Sequence, residues 1–223
     1  MRRLIALILT LALLQPVMIH GSEEKYISIT FDDGPSGRYT QRLLAGLEKR
    51  NVKATFFLCG YRLETYPALG QQIFEAGHEI GLHSYSHGNM AQMSRKEILG
   101  EIAKNMALLP KGCNAVFLRP PGGNSSDLVA QCAKQTGLAL MKWSVDPQDW
   151  AHHDAAALEA AVVESVRSGD VILLHDMCDC SIDAALAIID RLQAQGFQFV
   201  TLSQLAQHRG ITPQSGTMYC HFR

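Results

Sequence analysis

Two adjacent acids, Asp32 and Asp33, leave an apolar run and enter Gly34-Pro35. His83 and His87 stand four residues apart, Arg119 precedes Pro120-Pro121, Asp146 and Asp149 precede Trp150, and His175 closes Val171-Ile172-Leu173-Leu174. Two histidines and a carboxylate can grip a divalent ion and leave a coordination position open for water, the pattern of a hydrolytic metal site. On a helical turn, His83 and His87 would share one face. Taken by itself, such a pair is more often incidental. Either Asp32 or Asp33 can supply the carboxylate. Adjacent carboxylates repel, so a metal on one and an arginine on the other would balance both. A solvated turn accounts for Gly34 and Pro35, but not for an apolar strand that delivers two acids. Arg119, stiffened by the prolines that follow, reads as a clamp on a carboxylate rather than a surface ion pair. His175 reads either as a satisfied core histidine or as a general acid, since its pKa lies near neutrality.

Something must bring these residues together. Short apolar runs alternate with helical patterns from Tyr26 to Leu202: strands near 26–31, 53–58, 79–83, 115–118, 138–145, 171–175 and 197–202, and helices near 41–50, 67–76, 94–108, 127–136, 155–166 and 181–195. Ser94-Arg95-Lys96-Glu97 has the form of a capping box. Alternation of this kind implies right-handed crossovers and a parallel sheet. Its continuously apolar strands would be buried on both faces. An open sheet would gather only the strand ends near its switch point. A barrel gathers all of them on one face. So many reactive strand ends favour a distorted (β/α) barrel of about seven parallel strands with surrounding helices.

Composition sets the limits. The chain has 223 residues, 47% of them hydrophobic, and a formal net charge of -1. That is enough for one domain with a real core, and it gives no electrostatic support to a nucleic-acid or anionic-membrane partner. Met1-Arg2-Arg3 followed by the apolar Leu4–Leu14 reads as a signal peptide over residues 1–22, although Ile19-His20-Gly21 matches a cleavage site poorly. After cleavage no stable membrane span is expected, and residues 23–223 form the domain. Six cysteines in an exported chain suggest disulfides. Cys113 and Cys132 are expected near one end of the barrel, close enough to bridge. Cys178 or Cys180 would tether the tail through Cys220.

The ordered set Thr30-Phe31-Asp32-Asp33-Gly34-Pro35, His83-Ser84-x-x-His87, Arg119-Pro120-Pro121, Asp146-x-x-Asp149-Trp150 and Leu173-x-His175 resembles the five motifs of polysaccharide deacetylases. This is the nodulation-protein-B homology group, or carbohydrate esterase family four. The resemblance runs from Tyr26 to Leu205. It implies that Asp33, His83 and His87 bind zinc, with cobalt or nickel as alternatives, and that Asp32 is the general base for the metal-bound water. Arg119 would orient Asp32, and His175 would protonate the leaving amine. Asp149 would orient His175, with Asp146 the second candidate. Trp150 and Leu173 would wall the acetyl pocket. Gly122 stands where the family usually has an aromatic; its backbone N–H would remain an oxyanion donor, while the sugar groove loses a wall. The implied activity is removal of N-acetyl groups from N-acetylglucosamine in peptidoglycan or a chitin-like glycan. An O-acetyl esterase on xylan is the alternative, and an inactive carbohydrate-binding relative is a rival of another class. A secreted monomer of the cell wall or periplasm is expected, with the acetylated glycan as its partner.

Overall fold

The computed structural model describes residues 24–223, so the leader read over residues 1–22 lies outside the described residues. Five strands come first: β1 (Lys25–Asp32), β2 (Thr55–Leu58), β3 (Glu79–Leu82), β4 (Phe117–Leu118) and β5 (Ala139–Met141). β6 (Val171–His175), β7 (Phe197–Phe199) and β8 (Met218–Tyr219) follow. The helices between and after them are α1 (Gly37–Lys49), α2 (Gly60–Thr65), α3 (Pro67–Glu75), α4 (Arg95–Ala107), α5 (Asp127–Gln135), α6 (Ala155–Ser165), α7 (Asp179–Ala194) and α8 (Leu202–His208).

All the strand pairings are parallel, in the order β6-β1-β2-β3-β4-β5-β8, with β7 against the first half of β1. Past β5 the chain crosses to the other edge. Val145 bridges Ile172, and the Ser144 and Val145 N–H groups donate to the Val171 carbonyl. This short seam curls the sheet into the expected distorted barrel.

Side chains alternate across each strand, which explains why the strands look apolar throughout. Ile27, Ile29 and Phe31 of β1 face the helices in the largest core cluster, with Leu43 of α1 and Ile188 of α7. The opposite face of β1 carries Ser28, Thr30 and Asp32, all buried. Inside the barrel lie Phe57, Phe117, Met141 and Val171, in a cluster with Leu202 and Leu205 of α8. The two kinds of buried face are therefore different: the outer one is wholly apolar, and the inner one turns polar toward the C-terminal strand ends.

The Ser94–Glu97 capping box forms at the start of α4. The expected strand over 197–202 ends at Phe199. Thr201 and Gln204 form a second capping box and open α8. That helix closes the N-terminal end of the barrel. Its Leu202 N–H donates to Thr55 Oγ1, and its Ser203 N–H donates to Glu79, which would otherwise be a charge facing the barrel interior.

The cysteines depart from expectation. All six are free thiols, so neither expected bridge forms. Cys113 packs against the outer core cluster, whereas Cys132 lies inside a different one, beneath α4 and α5. Cys178 caps α7, its sulfur accepting from the Ser181 N–H at 3.3 Å. Cys220 lies in the tail beyond β8 and is exposed.

That tail is anchored by packing instead. Phe222 is 1% exposed, its ring lies 5.3 Å from that of Tyr219 and 6.4 Å from that of Phe117, and its N–H donates to the Gly169 carbonyl. Phe222→Ala should lower unfolding free energy by about 3–5 kcal/mol. Urea denaturation measures this; a loss under about 1 kcal/mol would show that the tail is not part of the core.

Candidate active site and metal centre

Asp32 is the last residue of β1 and a register partner of His175, the last residue of β6. Adjacent parallel strands thus deliver both side chains to the same face. Arg119, one residue past β4, is completely buried. Its Nη1 donates to Asp32 Oδ1 at 2.6 Å and to Thr30 Oγ1 at 2.8 Å. Its Nε and Nη2 donate to the carbonyls of Met141 and Lys142. The guanidinium lies 3.9 Å over the Phe57 ring. Burial lowers the Arg119 pKa, and Asp32 opposes that shift only in part. A group with so high a pKa stays charged and distributes its donors over four acceptors.

Asp33 lies just outside the strand with φ of 71°, which turns it away from Asp32. Its Oδ1 sits 3.3 Å from His83 Nε2 and 3.0 Å from His87 Nε2. These contacts lack hydrogen-bond geometry, so this buried oxygen has no hydrogen-bond partner. His83 Nδ1 lies 2.7 Å from the Arg119 carbonyl. A carbonyl only accepts, so Nδ1 carries the proton and Nε2 presents a lone pair. One ligand atom from each of Asp33, His83 and His87 lies within 4.8 Å of the other two. With both imidazoles neutral, lone pairs of three atoms would converge here, an arrangement that a divalent cation relieves. Burial would raise the Asp33 pKa, but the two histidines outweigh it and hold the carboxyl far below its ordinary value. The close Asp33 carboxylate in turn raises His87 against the effect of burial.

The expected helical turn between the histidines is absent. Residues 83–87 form a loop in which Ser84 and His87 both adopt φ of 60°. The loop is held from outside. Glu101 of α4 accepts from the N–H groups of Tyr85 and Ser86 and from the Ser86 hydroxyl, all at 2.8–2.9 Å. Asn105, one turn on, donates to the carbonyls of Ser84 and Leu58. Neither residue was legible in the sequence, where both belong to an ordinary helix pattern.

On the far side of the centre, His175 Nδ1 lies 2.8 Å from Asp149 Oδ1, and the His175 N–H donates to Asp149 Oδ2. Asp146 instead accepts from Trp143 Nε1 and the Gln148 N–H. Asp149, and not Asp146, is therefore the carboxylate bonded to His175. Burial opposes a charged imidazole here, but the hydrogen bond and charge of Asp149, with Asp32 and Asp33 behind it, raise His175 to about 9.

Asp32, Asp33, His83, His87, Gly122, Trp143, Asp146, Trp150, Leu173 and His175 line one cleft of about 420 Å³. Trp150 stands 64% exposed at its rim and Leu173 forms its buried wall. Trp143 is an aromatic wall that sequence reasoning missed. Gly122 has φ of 61°, and a Cβ there would meet Asn124 Nδ2 at 2.9 Å, so this glycine answers a backbone requirement. Its N–H donates to no protein acceptor among the described residues. Gly34 answers a different one: a Cβ would come within 2.6 Å of the Asp176 carboxylate packed beneath the acid turn.

The fold and the site define a class: a distorted (β/α) barrel hydrolase with an Asp-His-His centre at the C-terminal ends of its strands. Within that class the chain belongs to the polysaccharide deacetylase family, whose model matches residues 20–141, and it is a deacetylase of that family. It is 38% identical to a peptidoglycan-N-acetylglucosamine deacetylase of Bacillus cereus, over 84% of this chain and 91% of that protein. It is 31% identical to a chitooligosaccharide deacetylase of Sinorhizobium fredii, over 86% and 96%. A family 4 acetyl xylan esterase from Clostridium thermocellum, solved with a cobalt ion, superposes with a TM-score of 0.82 at 35% identity, over 88% of this chain and 98% of that one.

Two predictions follow from this geometry. Glu101→Gln should weaken divalent-ion affinity about 10–100-fold, by loosening the loop that carries His87. Titration calorimetry with zinc measures it, and unchanged affinity would show that the loop holds itself. The second concerns His175, which can act as an acid only while protonated. Activity should therefore fall as pH rises through about 9, and Asp149→Asn should move that alkaline limb downward, toward the ordinary value of about 6.5. A limb that stays in place would remove His175 from the proton transfer.

Proposed function

We propose that the protein hydrolyses N-acetyl groups of N-acetylglucosamine residues in peptidoglycan or a chitin-like glycan, with a divalent ion, zinc first among candidates, held by Asp33, His83 and His87. The observation that carries the reading is the flanking of those three ligand atoms by two separate paired groups, Asp32 with Arg119 and His175 with Asp149. A bound divalent ion would supply Lewis acidity, acidifying water and polarising the acetyl carbonyl. The chain's own residues do the rest. Asp32 Oδ2 takes the proton of the attacking water while Oδ1 stays on Arg119. The Gly122 N–H donates to the developing oxyanion. His175, protonated and held by Asp149, gives its proton to the leaving nitrogen, so that the C–N bond breaks to acetate and a free amine. Leu173 and Trp143 enclose the methyl group, and exposed Trp150 offers a face for a sugar ring. The likeness to peptidoglycan deacetylases and the apolar leader support export to the cell wall or periplasm. No helix among the described residues is long and apolar enough to cross a membrane.

The second reading is an O-acetyl esterase on xylan. It is favoured by the likeness to the acetyl xylan esterase and by Gly122, which leaves the groove open beside the centre. Acetate release from peptidoglycan, chitin oligomers and acetylxylan, before and after chelation and zinc reloading, separates the readings. Activity on the first two alone supports the amidase, activity on acetylxylan alone supports the esterase, and no chelator-sensitive release from any of them contradicts both.

The two acids should separate as well. Asp32→Asn should bind zinc within a few-fold of the parent yet lose about 10²–10⁴ in turnover. Asp33→Asn should lose zinc affinity itself. Equal loss of zinc in both variants would contradict the division of roles.

A further inference from the structure

The cleft continues along the barrel face. Asp33, Trp150 and His175 line it, and they also line an adjoining cavity of about 250 Å³ together with Met177. Met177 in turn lines a third cavity, of about 260 Å³, with Ser36, Arg38, Tyr39, Arg62 and Tyr66. The three openings form a run along one face, from the metal centre past His175 to the start of α1.

The third cavity has two arginines and a helix start in its wall. It lies at the N-terminus of α1, a 13-residue helix whose cap residue, Ser36, makes no side-chain capping bond. A helix start carries partial positive charge and favours an acid in its first turn. Here the first turn has no acid and carries Arg38 instead. Arg38 is shared with Asp179 of α7 at 3.1 Å, so its charge is partly spent. Arg62 of α2 is not. It is half-buried, its Nε donates to the Tyr61 hydroxyl at 3.1 Å, and it has no carboxylate partner among the described residues. Ser36 is 8% exposed, and its hydroxyl has no hydrogen-bond partner. Tyr39 and Tyr66 supply apolar faces beside these polar groups. The chain as a whole carries a formal net charge of -1, so this positive site is local and not part of a generally basic surface.

Building on the glycan reading above, we propose that this cavity is a subsite for a carboxylate of the substrate strand, received by Arg62 with Arg38 and the start of α1, while an acetyl group on the same strand lies at the metal centre. The enzyme would then prefer glycans that carry carboxylates over neutral ones. In peptidoglycan two sources share this chemistry: the lactyl ether carboxylate of peptide-free strands, and the carboxylates of attached peptides.

The test uses the zinc-loaded full chain and its Arg62→Gln and Arg62→Lys variants. The substrates are peptide-free peptidoglycan strands, peptide-bearing strands and a neutral chitin hexamer. The ratio of kcat/KM on carboxylated strands to that on the hexamer should fall about tenfold in Arg62→Gln, the worth of one charge-assisted hydrogen bond. Arg62→Lys should keep most of the preference, and added salt should erode it in the parent. The strand on which Arg62→Gln loses more identifies the carboxylate. A common factor on all substrates, or no change on any, overturns the subsite. Failure of the deacetylase reading looks different, because the parent would release no acetate from any glycan. Calorimetric binding of the same strands still reads the subsite in that case, and equal affinities of the parent and Arg62→Gln for carboxylated strands would overturn it.

Discussion

The site is organised around the contact between Arg119 and Asp32. A guanidinium inside a barrel costs several kcal/mol to desolvate, and it persists only because every direction around it is answered. Asp32 and Thr30 come from β1, one carbonyl ends β5 and the next follows it, and the Phe57 ring of β2 lies beneath. Three strands must therefore be in register before the charge is satisfied. The same residue acts a second time through its backbone, since the Arg119 carbonyl fixes the His83 ring and its tautomer. One residue thus orients both an acid beside the centre and a histidine of it. Such a pair adds little net stability but imposes one arrangement on the strand ends.

The acid pair gains its division of labour from one backbone torsion. Asp32 keeps strand geometry and points to Arg119. Asp33 follows with positive φ and points to the histidines. Two neighbouring carboxylates would otherwise compete for one partner and repel each other. The positive φ values at Ser84 and His87 likewise turn the two imidazoles toward Asp33. Strain at non-glycine residues gathers here because α4, through Glu101 and Asn105, holds the loop in place.

Much of this was legible because it is periodic or typed. Alternating apolar runs announced a parallel α/β barrel, the reactive strand ends announced its active face, and the five ordered motifs announced the residues of the cleft. What stayed hidden depends on distance in space. Nothing in Glu101 distinguishes it from any helical glutamate until the loop is seen packed on it. Asp146 and Asp149 are equivalent in sequence, and only the return of β6 beside the second separates them. The His83–His87 spacing suggested a helical turn, but the two rings converge through a strained loop. Even cysteine number suggested bridges, whereas Cys113 and Cys132 fall in different packing clusters. The α8 capping box, Thr201 with Gln204, was readable and was overlooked because the preceding apolar run suggested a longer strand.

The most direct test is a crystal structure of the zinc-loaded protein with anomalous data at the zinc edge. The account predicts one peak about 2.0–2.2 Å from Asp33 Oδ1, His83 Nε2 and His87 Nε2, with Asp32 still bound to Arg119 and outside the coordination sphere. A peak coordinated by Asp32, or one that leaves either histidine unliganded, would contradict it.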